Sequence, residues 1–104
     1  MHTIKFRKPF IFEGKEYENI RLDLDSLTGR DLVSAETESR VIAGISSSPM
    51  TDFSKPYNAV VAAKAAKVPT DMIFDLPARE FTSVVITVQD FLLGMDLIEE
   101  DAQE

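Results

Sequence analysis

Few residue types in this chain could do chemistry, and their spacing does not bring them together. A serine nucleophile needs a base beside it. Ser46, Ser47 and Ser48 are three successive hydroxyls, whereas the only imidazole, His2, sits beside the N-terminus with no partner in sequence. The chain has no cysteine, which removes thiolate nucleophiles, disulfides and cysteine metal sites. Asp23 and Asp25 alternate and could pair as carboxylates or hold a cation, but they read more simply as the wet face of a strand. Asp96, Glu99, Glu100 and Asp101 lack the alternating ligands and central glycine of a calcium loop. Gly14, Gly29 and Gly44 are too scattered to cradle a phosphate. An enzyme here would work with carboxylates, lysines and hydroxyls alone. The reading is therefore a non-enzymatic protein with no catalytic residue, no cofactor and no metal site.

Composition narrows the partners. With 104 residues the chain has the length of one domain, and its 44% hydrophobic content suits a folded one. The net charge of −7 is uneven: residues 1–21 carry five basic and three acidic side chains, residues 22–104 six and fifteen. Phosphate affinity comes from clustered Lys and Arg, so nucleic acid is not an expected partner. No apolar run approaches the ~20 residues that cross a bilayer, and the N-terminus has no signal-peptide core, so no membrane partner is expected either. The absence of cysteine fits a reducing compartment.

The elements begin with a hairpin. Ile4, Phe6, Phe10 and Phe12 alternate with Thr3, Lys5 and Arg7, the period-two pattern of a strand with one covered face. Pro9 cannot donate to a ladder, which places this strand at an edge or a bulge. Ile20, Leu22 and Leu24 alternate with Arg21, Asp23 and Asp25 in a second strand, and Glu13-Gly-Lys-Glu16 is the turn. For the even positions of both strands to share a face, paired residue numbers must sum to an even value. A two-residue turn at Gly14-Lys15 breaks that parity, which predicts a three- or five-residue loop or a bulge near Tyr17.

Helices follow. Thr28-Gly-Arg-Asp31 has the form of a capping box opening a helix with a stripe of Leu32, Ala35, Ser39 and Ile42, a Glu36–Arg40 pair and a stop at Gly44. Residues 45–55, with Pro49, read as a loop. Ser54 caps a second helix with Pro56 in its first turn and one apolar face of Tyr57, Val60, Val61, Ala65 and Val68, ended by Pro69. Between Pro69 and Pro77 only a single helical turn fits. Phe81, Val84, Val85, Val88, Phe91, Leu92 and Met95 then recur at helical steps, with Pro77 at the start, Glu80 in the first turn and Gly94 at the stop. This last helix is expected to be the longest. Its β-branched residues make a strand over 82–88 the competing reading. The predicted fold is α+β: residues 1–94 form one small domain with an N-terminal antiparallel β-hairpin and about three α-helices, and residues 95–104 form a disordered acidic tail.

Eight large side chains, Phe6, Phe10, Ile11, Phe12, Phe53, Phe74, Phe81 and Phe91, are many for so small a body. Either the helices cover them or a partner does, because a two-stranded sheet is marginal without a cover. The residues expected to meet a partner are Phe6, Phe10, Phe12, Ile20, Phe81, Val85 and Val88. The free sheet edge suggests a homo-oligomer paired through the hairpin.

In order, these motifs resemble the tail assembly chaperones of Mu-like and P2-like contractile-tailed phages and their prophages. The matching features are a strand ending in a proline (Phe6-Arg-Lys-Pro9), a glycine turn (Gly14-Lys-Glu-Tyr17) and a second apolar strand (Ile20-Arg-Leu-Asp-Leu24). A Thr-x-x-Asp helix start (Thr28 to Asp31) and a Leu-x-x-x-Glu-Phe helix (Leu76 through Glu80 and Phe81) closing on Phe91-Leu-Leu-Gly94 complete the set. The resemblance implies a holding chaperone in the bacterial host cytoplasm. It would bind the tape measure protein, the long helical ruler, until tail tube subunits displace it. It also implies that a frameshifted longer product could diverge near the acidic tail. The alternative is a small structural component of a tail or related contractile apparatus, retained in the particle.

Overall fold

Strand β1 (His2–Phe12) turns through Glu13 and Gly14 into β2 (Lys15–Leu22), and a 3-10 turn (Leu24–Ser26) leads to the helices. These are α1 (Gly29–Ala43), α2 (Lys55–Ala66), the five-residue α3 (Thr70–Phe74) and α4 (Ala78–Leu92). The computed structural model describes residues 2–43 and 54–95; the expected stop at Gly44, the serine loop and the acidic tail beyond Met95 lie outside the described residues. The α+β order of a hairpin followed by helices is as the periodicity predicts.

The hairpin satisfies parity by a bulge, the expected alternative to a longer loop, and carries it on β1 beside the Phe10–Tyr17 pair. Its connection is neither a three- nor a five-residue loop but two residues, Glu13 at φ 51° and Gly14 at φ 79°. Two successive positive φ values match the right-handed twist of the strands, and the glycine takes the second at no steric cost. Near the turn Phe10 pairs with Tyr17 and Phe12 with Lys15, while at the open end Ile4 pairs with Ile20 and His2 with Leu22. The shift lies between Lys5 and Phe10, where residues 6–9 face Glu18 alone. Pro9, which has no N–H to give, sits inside this irregularity. On β2 the consecutive exposed pair Glu18 and Asn19 marks the change of covered side from Tyr17 to Ile20 and Leu22.

The second strand is shorter than its alternation suggests. It stops at Leu22, so Asp23 and Asp25 belong to the 3-10 turn rather than to a strand face. The backbone is diverted there because the Asp23 N–H donates to the Ala65 carbonyl of α2 at 3.1 Å, tying the end of the hairpin to the last turn of that helix. The same bend drives Leu24 into the core, where it is fully buried.

Helix α1 opens with one half of the expected capping box. The Asp31 carboxylate reaches back to accept from the Thr28 N–H at 2.9 Å and from its hydroxyl at 3.3 Å. Leu32, Ala35 and Ser39 face inward, and the Ser39 hydroxyl donates to the Glu36 carbonyl at 2.8 Å, which satisfies it where it is buried. Ile42 departs from the expected stripe and is 47% exposed. The Glu36–Arg40 pair forms at 3.9 Å on the surface, a contact of small energetic weight.

Helix α2 begins as its sequence dictates, with the Ser54 hydroxyl accepting from the Tyr57 N–H at 3.2 Å and Pro56 in the first turn. Its single apolar face, however, is wrong. Ala59, Ala62 and Ala63 are buried along with Tyr57, Val60, Val61 and Ala65, because α1, α3, α4 and β2 pack around it from different sides. Alanine lets those neighbours approach closely, so α2 is the central post of the fold. Lys64 points outward to Glu38 of α1 at 3.0 Å. The helix ends on Lys67 at φ 59°, and the Val68 N–H returns to the Ala63 carbonyl at 3.1 Å.

Helix α4, not a strand, occupies 82–88, and Val84, Val85 and Val88 are buried while Phe81, Phe91 and Leu92 pack against the core edge. Packing overrides the weak helix propensity of the valines. It is not the longest helix: α1 and α4 both have 15 residues. Leu93 and Gly94, the latter at φ 75°, close α4, and Met95 is exposed. The core joins Leu22, Leu24, Ile73 and the α2 alanines and valines to Val84 and Val88.

Candidate partner-binding surface

The aromatic residues of β1 form a row. Phe6 and Phe10 meet edge to face at 6.2 Å, and Phe10 stacks on Phe12 at 6.4 Å, geometries that suit ring quadrupoles. Phe6 and Phe10 lean on the core and all three remain half-buried, but Phe12 lies outside the core cluster. Across the ladder Tyr17 carries the Lys15 ammonium over its ring at 5.3 Å. Ile11, on the opposite side of the strand, is 68% exposed. The outer hairpin thus offers apolar surface on both faces.

Strand β1 lies along α4, and two contacts fix its position. At one end the His2 ring meets the edge of Phe91 at 5.7 Å. At the other, the Glu80 carboxylate accepts from the Arg7 N–H at 3.2 Å. The five strand steps from His2 to Arg7 and the eleven helix steps from Phe91 back to Glu80 each span about 16 Å, so strand and helix run antiparallel in step.

Glu80 is the residue that sequence reasoning missed. It is only 7% exposed and serves the bulge, where a backbone N–H freed from the ladder needs an acceptor. A signal was present: residues 80, 84 and 88 fall at four-residue steps, so a carboxylate on the stripe of Val84 and Val88 is placed to be buried. The proline that breaks the ladder, four residues after Lys5, supplied the other half of the clue.

Beside this contact the bulge and the start of α4 enclose two adjoining clefts, each of about 420 Å³. Pro9, Phe10 and Pro77 give one of them an apolar floor. Lys5, Arg7, Lys8 and Arg79 rim the pair, all four exposed and none in an ion pair among the described residues. In a chain of net charge −7 this is a concentrated positive patch.

Of the residues expected to meet a partner, Phe6, Phe10, Phe12 and Phe81 keep accessible surface, and Phe81 stacks on Phe74 at 6.0 Å. Ile20, Val85 and Val88 are buried and hold the core in this conformation. Further exposed apolar residues that no periodicity singled out lie on the outer side of α1, with Val33 at 66% and Val41 at 77%. Among the described residues no group of three or more His, Asp or Glu side chains converges as metal ligands. No helix among them is long and apolar enough to cross a membrane.

The chain matches no family model, no curated protein and no solved structure at a significant level.

Proposed function

We propose that this chain is a non-enzymatic tail assembly chaperone of a contractile-tailed phage or prophage, holding the tape measure protein in solution in the bacterial cytoplasm until tail tube subunits replace it. The order of strand, proline, glycine turn, Thr-x-x-Asp helix and closing Glu-Phe helix supports the family reading. The observation that carries the binding role is the half-exposed row of Phe6, Phe10 and Phe12, continued by Ile11 on the other face of the hairpin. A long amphipathic ruler exposes apolar stripes before its tube forms, and a helix lying across such a row would bury them. The acidic remainder of the molecule keeps the complex soluble.

Co-expression tests this reading. The wild-type chain should keep an otherwise insoluble tape measure fragment in solution, at high salt as well as low, because hydrophobic burial survives screening. Phe12→Asp should abolish the effect while circular dichroism shows the fold retained, since Phe12 stands outside the core. An insoluble fragment beside the wild-type chain refutes the proposal. Stoichiometric recovery of the chain in finished particles would instead make it a structural component.

A further inference from the structure

We infer that the cleft between the β1 bulge and the start of α4 takes the acidic C-terminal segment, residues 96–104, of a second copy of this chain. The two surfaces are complementary in both charge and apolar character. The cleft presents Lys5, Arg7, Lys8 and Arg79 around a floor of Pro9, Phe10 and Pro77. Its one lining carboxylate, Glu80, is buried and accepts from the Arg7 N–H, so the four exposed cations outnumber the single acid of the lining. The segment has five carboxylates, Asp96, Glu99, Glu100, Asp101 and Glu104, no cation, and an apolar pair, Leu97 and Ile98. Seating that pair on the floor brings its flanking acids to the rim.

Reach decides between the chain's own segment and a neighbour's. Arg79 and Leu92 are thirteen residues apart on one helix, about 20 Å. Ile98 follows Met95 by three residues and can stand at most about 11 Å from it. The apolar pair therefore falls short of the cleft on its own molecule. A second copy has no such limit, and reciprocal exchange of segments closes a dimer. This contact shares Phe10 with the outer hairpin row but uses neither Phe12 nor Ile11, so Phe12→Asp and K8E with R79E separate it from client holding.

Sedimentation velocity of the full chain tests it. Association should be present at about 20 mM salt and at least about tenfold weaker at about 0.5 M, where charges are screened beyond a few ångströms. Deleting residues 96–104, or introducing K8E with R79E at two exposed positions, should each give a monomer at both salts with an unchanged circular dichroism spectrum. A chain carrying E99K, E100K and D101K should associate again when mixed with the K8E/R79E chain. Association that is insensitive to salt, or that survives deletion of 96–104, overturns the inference and moves the contact to the hairpin edge. A full chain that stays monomeric at low salt overturns it too. That holds even if the truncated chain binds a synthetic 95–104 peptide, since the segment would then be serving its own molecule.

Discussion

Along α2, alanines and valines are buried on every side, and the helix touches nearly every other element; at the hairpin tip, Phe12, Tyr17 and Ile11 lie outside the core cluster. Both regions are apolar in sequence, yet one is the center of the fold and the other its accessible margin. Side-chain size accounts for the difference. Small residues on α2 allow several elements to pack at close range, so all its surface is used. The tip carries large rings on a ribbon of two strands, and a ribbon can be covered only where a helix lies beneath it. Here α2 and α4 reach the half of the hairpin near His2, Ile4, Ile20 and Leu22 and leave the other half open. Buried apolar surface is therefore concentrated at the open end of the hairpin and accessible apolar surface at its turn.

Substitution at the covered end should have the largest effect. Leu22→Ala, at a fully buried site, should cost about 2–5 kcal/mol in urea unfolding, whereas Ile11→Thr at the tip should change stability by less than about 0.5 kcal/mol. Equal losses at the two sites would mean that the tip is packed after all. Ala62→Leu comes next. It lies off the face that periodicity assigned to α2 and would be neutral on a solvent-facing side, but burial on all sides should make it cost about 1–3 kcal/mol through overpacking.

The junction between the two regions is set by Glu80. Replacing it with alanine leaves the Arg7 N–H without its acceptor and should cost about 1–3 kcal/mol. Hydrogen exchange at the Arg7 amide should accelerate in that variant, while exchange along α2 should follow only the global loss. If the Arg7 amide is unaffected, the bulge is held by other contacts. The smallest effect is expected at the turn. Glu13→Asn places a residue that tolerates positive φ where a glutamate now sits at 51°, and should stabilise by on the order of 0.5 kcal/mol without moving any core chemical shift.

Local patterns in the chain were enough to specify the hairpin, the caps at Ser54 and Asp31, the single turn between Pro69 and Pro77, and the inner face of α4 from Phe81 to Leu92. Each depends on neighbours within a few residues, through alternation, capping hydrogen bonds or a missing proline N–H. Parity of Ile4, Phe6, Ile20 and Leu22 even excluded a regular ladder closed by two residues at Gly14-Lys15. It could not say that the irregularity lies on β1 between Lys5 and Phe10, because a loop or a bulge restores parity equally well. Tertiary structure decided that, by placing Glu80 where the Arg7 N–H could find an acceptor. It decided likewise that β2 stops at Leu22, where Asp23 finds the Ala65 carbonyl, and that α2 is buried on all sides. Those outcomes rest on contacts between residues far apart in the chain, whose partners no local period can name.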